Sequence, residues 1–260
     1  MKKNVLKLNI VLLSFLGFSS CLGDNESKYM YVSYGVIQNV NSSNDYEILT
    51  DKGNTLKVTQ SHTIHSIEDG KRVLANFEIV SDNEKGNKIY EVSVNGFYNL
   101  LSKPVVNESF ILQDKETRRD SIGNDPFNRI YAAFGGNYIN IDFEVLYSPH
   151  SDVKHLVNLV YDDTRADSDT LYLSLFHNAY GEIPEENVNL VRGVAWSSFK
   201  ISDLLPEGVT SKPVTITWTE YTYNGAKQYS STGIYKLNDV ENSDFHIGQN
   251  FDNNSSLELK

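Results

Sequence analysis

Apolar and polar residues alternate through the first third of the chain in the pattern of short β-strands. Met30, Val32, Tyr34 and Val36 would share one face of a first strand, in which Gly35 predicts a bend or bulge. The same alternation continues with apolar residues at Tyr46, Ile48, Leu56, Val58, Val73, Ala75, Phe77, Ile79, Tyr90, Val92 and Val94. Five strands with an early bend predict a small OB-like barrel over residues 29–102.

Residues 120–240 contain a second series of short strands. Ile139, Ile141, Phe143 and Val145 alternate with polar residues, as expected for a strand with one buried face. Further strands are predicted over residues 128–134, 154–161, 170–177, 191–201, 214–218 and 233–237, and an Asn224-Gly225 turn precedes the last. About seven short strands without helical periodicity predict an immunoglobulin-like β-sandwich. The predicted fold class is therefore all-β.

The segments around these two domains lack a clear period. Residues 103–119 are predicted to be a linker with a short strand over residues 110–112, and the turn-forming stretch 120–127 marks the domain boundary. Residues 241–260 are rich in Asn and Ser and predict a frayed tail.

The first 28 residues predict export and lipid anchoring. Lys2 and Lys3 precede an apolar run too short to span a bilayer comfortably, so residues 1–20 have the form of an export signal. The end of that segment resembles the lipobox of bacterial lipoproteins, and Cys21 is the only cysteine in the chain. We therefore expect Cys21 to carry acyl chains such as palmitate, with residues 21–28 as a tether. The expected location is the cell envelope, at the outer membrane, with its periplasmic face and the cell surface both open.

The charge of the chain is strongly negative. The full chain carries −11, and removal of the export signal also removes Lys2, Lys3 and Lys7. Nucleic acids and anionic lipid surfaces are bound through positive patches, so both would be repelled. The membrane is therefore expected as a partner only through the lipid anchor.

Several stretches together resemble the NigD-like lipoproteins of Bacteroides and Prevotella. They are Cys21, the strand pattern of residues 29–101, and residues 120–126, 155–159 and 173–181. The resemblance implies an N-terminal OB-like domain followed by a β-sandwich. The family takes its name from a bacteriocin operon, which suggests an immunity role, and it supplies no catalytic residue.

Two histidines and an acidic turn are candidates for metal binding. His155 and His177 lie on predicted neighbouring strands, where a buried pair hydrogen-bonded to Asn158 or Asn178 is favoured over a metal centre. Residues 162–169 offer carboxylates that could hold calcium, but their spacing is not that of an EF-hand and a solvated hairpin tip is favoured. No metal and no cofactor is predicted.

Aromatic and hydroxyl residues supply the remaining candidates. Tyr221, Tyr223 and Tyr229 surround the predicted Asn224-Gly225 turn and could contact a ligand. Packing explains Trp218 better. Ser121 and Thr170 stand in short motifs that resemble the O-glycosylation signal of exported Bacteroides proteins.

The sequence contains none of the common catalytic motifs. Gly-x-Ser-x-Gly, His-Glu-x-x-His and a phosphate-binding glycine loop are all missing. The leading prediction is a non-enzymatic envelope lipoprotein that binds a protein or a glycan. Two alternatives stay open: a structural accessory subunit of an outer-membrane or glycan-uptake complex, and a glycan-directed hydrolase whose acids meet only in space.

Overall fold

A computed structural model describes residues 30–63, 66–82, 88–184 and 189–237. The predicted export signal, Cys21, the tether and the tail over residues 241–260 lie outside these ranges. The strands are β1 (Met30–Ser42), β2 (Asp45–Thr50), β3 (Thr55–Ser61), β4 (Arg72–Asp82), β5 (Ile89–Asn99), β6 (Leu101–Lys103), β7 (Val106–Asn107), β8 (Arg129–Gly135), β9 (Tyr138–Tyr147), β10 (Leu156–Tyr161), β11 (Leu171–Asn178), β12 (Val191–Lys200), β13 (Ser211–Thr222) and β14 (Gly225–Lys236). Two helices, α1 (Glu108–Leu112) and α2 (Lys115–Ile122), lie between β7 and β8.

The first five strands close into a barrel in the order β1-β2-β3-β5-β4, which confirms the predicted five-stranded OB-like domain. The alternating residues of β2, β3 and β5, with Val73, Ala75 and Phe77 of β4, face inward, because alternate side chains of a strand point to the same face. In β1 the inward positions are Gly35 and Ile37, so Met30 and Val32 lie on the outer face of the barrel, 53% and 60% exposed. Its core consists of Ile37, Tyr46, Ile48, Leu56, Val58, Val73, Ala75, Phe77, Val92, Val94 and Phe97.

Gly35 permits a close contact between strands and is not a bulge. A Cβ at this position would lie 2.6 Å from Cγ2 of Ile48 and 2.8 Å from the carbonyl oxygen of Leu49. The register of β1 against β2 shifts only later, between Gln38 and Ser42, where Asn39 has a φ of 53°. The bend predicted at Gly35 is therefore wrong in position, because the glycine meets a steric demand that the sequence does not show.

The second domain is a sandwich of two sheets, ordered β14-β13-β11-β10-β7 and β6-β12-β9-β8. This confirms the predicted β-sandwich. Strands β10 and β11 pair antiparallel, as do β9 and β12, whereas β11 and β13 run parallel. One continuous core fills the space between the sheets, with Phe127, Phe143, Phe199 and Tyr235 among its largest fully buried side chains.

Residues 103–119, predicted as a linker, contribute to the sandwich. Strand β7 of this segment pairs in parallel with β10 at the edge of one sheet. Strand β6 begins at Leu101, inside the predicted barrel range 29–102, and pairs in parallel with β12 at the edge of the other sheet. The strand predicted over residues 110–112 is instead part of helix α1. Ile111 and Ile122 anchor the two helices on Val160, which lets these short helices form through tertiary packing despite their weak periodicity. Neither described helix is long and apolar enough to cross a membrane.

A buried arginine joins the barrel to the sandwich. The Arg72 side chain donates to both carboxylate oxygens of Asp51, at 2.5 and 2.8 Å, to Oδ1 of Asn140 at 2.8 Å and to Oγ of Ser198 at 3.1 Å. Its guanidinium also lies 3.9 Å from the ring centre of Tyr138. A planar guanidinium is suited to this arrangement because its donors form a fixed fork. One barrel residue thus contacts both sheet strands β9 and β12.

Two further contacts extend the junction. The Tyr34 hydroxyl donates to Oδ1 of Asp142, and the rings of Tyr98 and Trp196 stack with their centres 4.6 Å apart. Burial, followed by the charge of Asp142, raises the pKa of Tyr34 well above its ordinary value. The two domains therefore meet through both polar and aromatic contacts.

Candidate functional site

The β13–β14 hairpin carries the three tyrosines predicted as ligand contacts. Thr222 pairs with Gly225, so Tyr223 and Asn224 form the loop, one residue earlier than the predicted Asn224-Gly225 turn. Gly225 has a φ of 98°, a conformation in which glycine avoids a steric penalty. The Thr222 hydroxyl closes the turn by donating to the Gly225 carbonyl at 2.6 Å and accepting from the Asn224 amide at 3.2 Å.

The hairpin separates its tyrosines. Trp218 pairs with Tyr229 and Tyr221 pairs with Ala226. Since positions three apart on a strand face opposite sides, Tyr229 and Tyr221 lie on opposite faces of the hairpin. The three tyrosines therefore do not form one contact surface.

Each tyrosine has a different environment. Tyr229 stacks on Trp218 with ring centres 6.1 Å apart and packs against the sandwich core, and Lys227 Nζ lies 5.1 Å from its ring centre. Tyr221 is half-buried. Tyr223 at the tip is 103% exposed. The tip tyrosine is thus the most accessible of the three, and Tyr229 belongs to the packing that holds the hairpin in place.

The two candidate histidines form a buried cluster with an acid. Nδ1 of His155 lies 2.9 Å from Nε2 of His177, and Nε2 of His155 lies 3.1 Å from Oε2 of Glu182. The buried pair was predicted correctly, but its expected partners Asn158 and Asn178 were wrong. Asn158 accepts from Lys103 Nζ at 2.7 Å instead. The Asn178 amide donates to the carbonyls of Asp120 and Ser121.

The surroundings of the cluster lower the pKa values of both His177 and Glu182. Burial and the neighbouring His155 lower the pKa of His177 to about 3, against a smaller opposing effect of the backbone at Asp125 and Pro126. For Glu182, burial opposes ionisation, yet hydrogen bonds from Ser151, the Ser148 amide and His155 hold its pKa below the ordinary value. His177 is therefore neutral at physiological pH, and the cluster fastens the loops around β10 and β11.

The acidic turn has a structural role at one of its carboxylates. A short 3-10 helix spans Asp163–Arg165, and Asp163 accepts from the Ser109 backbone amide at 2.7 Å and from the Ser109 hydroxyl. These bonds place a negative charge at the start of α1, where the backbone amides of the first turn can donate hydrogen bonds to it. Within the described ranges, no three His, Cys, Asp or Glu residues are arranged to hold a metal ion.

The two candidate glycosylation residues lie in different settings. Ser121 is exposed within helix α2, whereas Thr170 is half-buried next to the start of β11. Glycosylation at either residue stays a prediction, as does acylation at Cys21, which lies outside the described residues.

Sequence reasoning missed the junction between the domains. Asp51, Arg72 and Asn140 are far apart in the chain, and each has the appearance of an ordinary polar surface residue. In the structure Arg72 is only 3% exposed and its guanidinium is bonded to both Asp51 and Asn140. No local pattern could have indicated this contact.

The architecture defines a class: a two-domain β protein with an OB barrel packed on a β-sandwich. Its sequence matches two family models, the NigD-like N-terminal OB domain over residues 34–99 and the NigD-like C-terminal beta sandwich domain over residues 110–232. The chain belongs to the NigD-like family. No curated protein sequence matches it significantly.

Solved structures share the fold at low identity. A NigD-like immunity protein from Bacteroides caccae is 18% identical, with 77% of this chain and 91% of that chain covered and a TM-score of 0.59. A toxin-related protein from Parabacteroides distasonis is 22% identical, with coverages of 82% and 96% and a TM-score of 0.57. A lipoprotein from Bacteroides fragilis is 11% identical, with coverages of 80% and 98% and a TM-score of 0.53. At these identities the likeness concerns the fold alone.

Proposed function

We propose that this protein is a non-enzymatic, lipid-anchored envelope protein that binds another protein through the tip and outer face of the β13–β14 hairpin. Its NigD-like membership and the immunity protein among its structural neighbours support a binding role. The neighbour described as a lipoprotein supports anchoring through Cys21. A bacteriocin is the class of partner that the immunity role would supply.

The observation that carries the proposal is the fully exposed Tyr223 on a firmly held hairpin. Strands β13 and β14 pair over their whole length, and Tyr229 and Trp218 fix one face of the hairpin against the core. A tyrosine on such a support offers a large contact area and loses little conformational entropy on binding. Tyr221 adds a half-exposed ring on the outer face.

Affinity capture from envelopes tests the binding role. The lipidated full chain, purified under mild detergent, should retain a protein partner, and Tyr221→Ala with Tyr223→Ala should lose most of it. A drop of about tenfold in affinity corresponds to about 1.4 kcal/mol, a usual cost for removing a central aromatic contact. Tyr180→Asn is the matched control, because Tyr180 is a half-exposed tyrosine outside the hairpin and asparagine tolerates its φ of 50°.

The outcomes of the capture separate the candidate roles. A partner bound only after a bacteriocin is added favours an immunity or receptor role. A stoichiometric complex with an outer-membrane protein, present without added ligand, favours the accessory role. Equal capture by the double variant and the wild type would contradict the proposal that the hairpin binds the partner. Hydrolysis of a glycan, abolished by one Asp or Glu substitution, would contradict the non-enzymatic assignment.

Metabolic labelling tests the anchor. Labelled palmitate should be incorporated into the wild type and not into Cys21→Ser, which should also leave the membrane fraction. One myristoyl-length chain binds membranes only marginally, so firm retention indicates two or more chains. An unlabelled wild type would refute anchoring at Cys21 and leave the hairpin proposal untouched.

A further inference from the structure

The barrel carries an open pocket at the end where β3 terminates. It has a volume of about 340 Å³ and is lined by His62, Asn76, Asn95, Gly96, Phe97 and Tyr98, among others. The pocket lies in the first domain and shares no residue with the β13–β14 hairpin. Its volume falls at the lower end of the range for small-molecule sites, roughly 300–1,000 Å³, which fits a ligand of one or two sugar rings.

An irregularity in the barrel builds the pocket. Asn76 pairs with Gly96 and Phe77 pairs with Val94, so Asn95 is an extra residue in β5 with no partner in β4. A bulge of this kind re-aims a side chain and often lies beside a functional site. Here it places the Asn95 amide among the lining residues. The neighbouring Gly96 leaves open space, since an added Cβ would have no atom within 4 Å.

The two asparagines have unused hydrogen-bonding capacity. Oδ1 of Asn76 is buried and accepts no hydrogen bond from any described residue. Within the part of the chain that the structure describes, Nδ2 of Asn95 donates to the sulfur of Met30, at 3.2 Å, and a thioether is a weak acceptor. Because the last torsion of asparagine is soft, each amide can turn toward a ligand in the pocket. Together they offer one acceptor and one donor.

The lining contains one histidine, His62, and is partly aromatic. Among its described residues there is no acid, lysine or arginine. Tyr98 contributes a ring that is 37% exposed and held against Trp196. Phosphate groups are bound mainly by arginine and lysine, and the described lining contains neither. An extended peptide would need a free strand edge, whereas the barrel is closed and β4 and β5 each pair on both sides.

From these features we infer that the barrel pocket binds a neutral saccharide. Amides that supply a donor and an acceptor match the paired hydroxyl groups of a sugar, and a fixed ring accepts the apolar face of a pyranose. This site is independent of the hairpin proposed to bind a protein. The same chain would then hold a glycan on its first domain and a protein on its second.

Calorimetric titration of the full chain tests the inference. The probes are glucose, galactose, mannose, N-acetylglucosamine and the β-1,4-linked dimers of glucose and N-acetylglucosamine, with glucuronic acid and a tetrapeptide of alanine for comparison. At least one neutral probe should bind with a Kd of about 1 mM or tighter. Glucuronic acid should bind more weakly than glucose, because the described lining offers no lysine or arginine to its carboxylate.

Two substitutions locate the binding. Gly96→Leu should abolish it, because a Cβ at this lining position has no atom within 4 Å and the rest of the leucine side chain would occupy the pocket. Asn95→Asp should weaken it about tenfold, because it keeps the shape, removes the amide donor and adds a charge. Gln60→Leu is the matched control, an exposed position of the same barrel outside the pocket lining, and should bind as the wild type does.

Thermal unfolding of each variant establishes that the barrel remains folded. Absence of binding by every neutral probe would overturn the inference. So would undiminished binding by a folded Gly96→Leu variant, or preferential binding of the tetrapeptide.

Discussion

Arg72 is the residue on which the junction between the domains depends. Its guanidinium is buried and pairs with Asp51 while also bonding to Asn140 and Ser198 of the sandwich. Buried ion pairs contribute little compared with an apolar replacement of the whole pair, but removing one partner leaves the other charge unpaired. The cost of losing this arginine should therefore be large.

Arg72→Met should lower the free energy of unfolding by about 3–5 kcal/mol, because the Asp51 carboxylate is left buried without its partner. Arg72→Lys should recover only part of this, since an ammonium cannot supply the forked geometry. Urea unfolding measures both. The adjacent Lys71→Met is the control, because Lys71 pairs with Glu68 at the surface and such pairs contribute about 0–1 kcal/mol. An Arg72→Met protein as stable as the control would contradict the stabilising role of Arg72 at the junction.

Asp142 makes the junction sensitive to pH. Burial raises the pKa of this carboxyl from 3.8 to about 6, while the hydrogen bond from Tyr34 acts in the opposite direction. The folded state thus binds a proton more readily than the unfolded state does. The stabilisation from protonation is fully present below about pH 3.8 and is lost as the pH rises through about 6.

Asp142→Asn should therefore stabilise the protein at pH 7, by up to about 3 kcal/mol, and flatten the change in stability between pH 4 and pH 7. The asparagine oxygen still accepts from Tyr34, so the contact is kept. Unfolding curves in urea at several pH values provide the measurement, with the exposed Asp167→Asn as the reference. If both variants show the same pH profile as the wild type, Asp142 is not the titrating group.

At the level of elements, the alternation of apolar and polar residues predicted the strands, because a strand shows this period of two whichever neighbouring strand it pairs with. The clean run from Ile139 to Val145 forms β9, and the run from Val73 to Ile79 forms β4. The helices were missed for the opposite reason. α2 has the sequence KETRRDSI, with little apolar periodicity, and is anchored mainly by Ile122, buried against another part of the chain. The Ser109 backbone amide at the start of α1 likewise donates to Asp163, which lies 54 residues further along the chain.

Asp163→Ala tests that long-range cap. Its loss should cost about 1 kcal/mol, the usual value for a removed N-terminal cap, and should speed amide hydrogen exchange in α1 above all. Asp167→Ala in the same acidic turn is the control, and should leave α1 protected. Uniformly faster exchange across the sandwich, without a preference for α1, would contradict a local capping role.

At the scale of the whole molecule, the sequence predicted the folds of the two domains but not the contact between them. The core residues of the barrel and of the sandwich alternate with polar residues along individual strands, so a short stretch of sequence shows them. The junction cluster of Leu74, Leu100, Val194 and Trp196 combines residues from both domains, and nothing near any one of them in sequence signals the others. The candidate sites show the same limit. The histidine pair was predictable from neighbouring strands, whereas Glu182 reaches it from a loop.

The pairing of β6 and β7 bears on how family members can be recombined. Each strand completes the edge of a different sheet, although both precede the helices and the rest of the sandwich. A chimera that exchanged sandwiches at residue 120 would give each sheet an edge strand from a foreign parent. A crossover between β5 and Leu101 keeps both edge strands with their own sheets. Only a chimera made at that crossover should therefore retain the binding specificity of the sandwich that was exchanged.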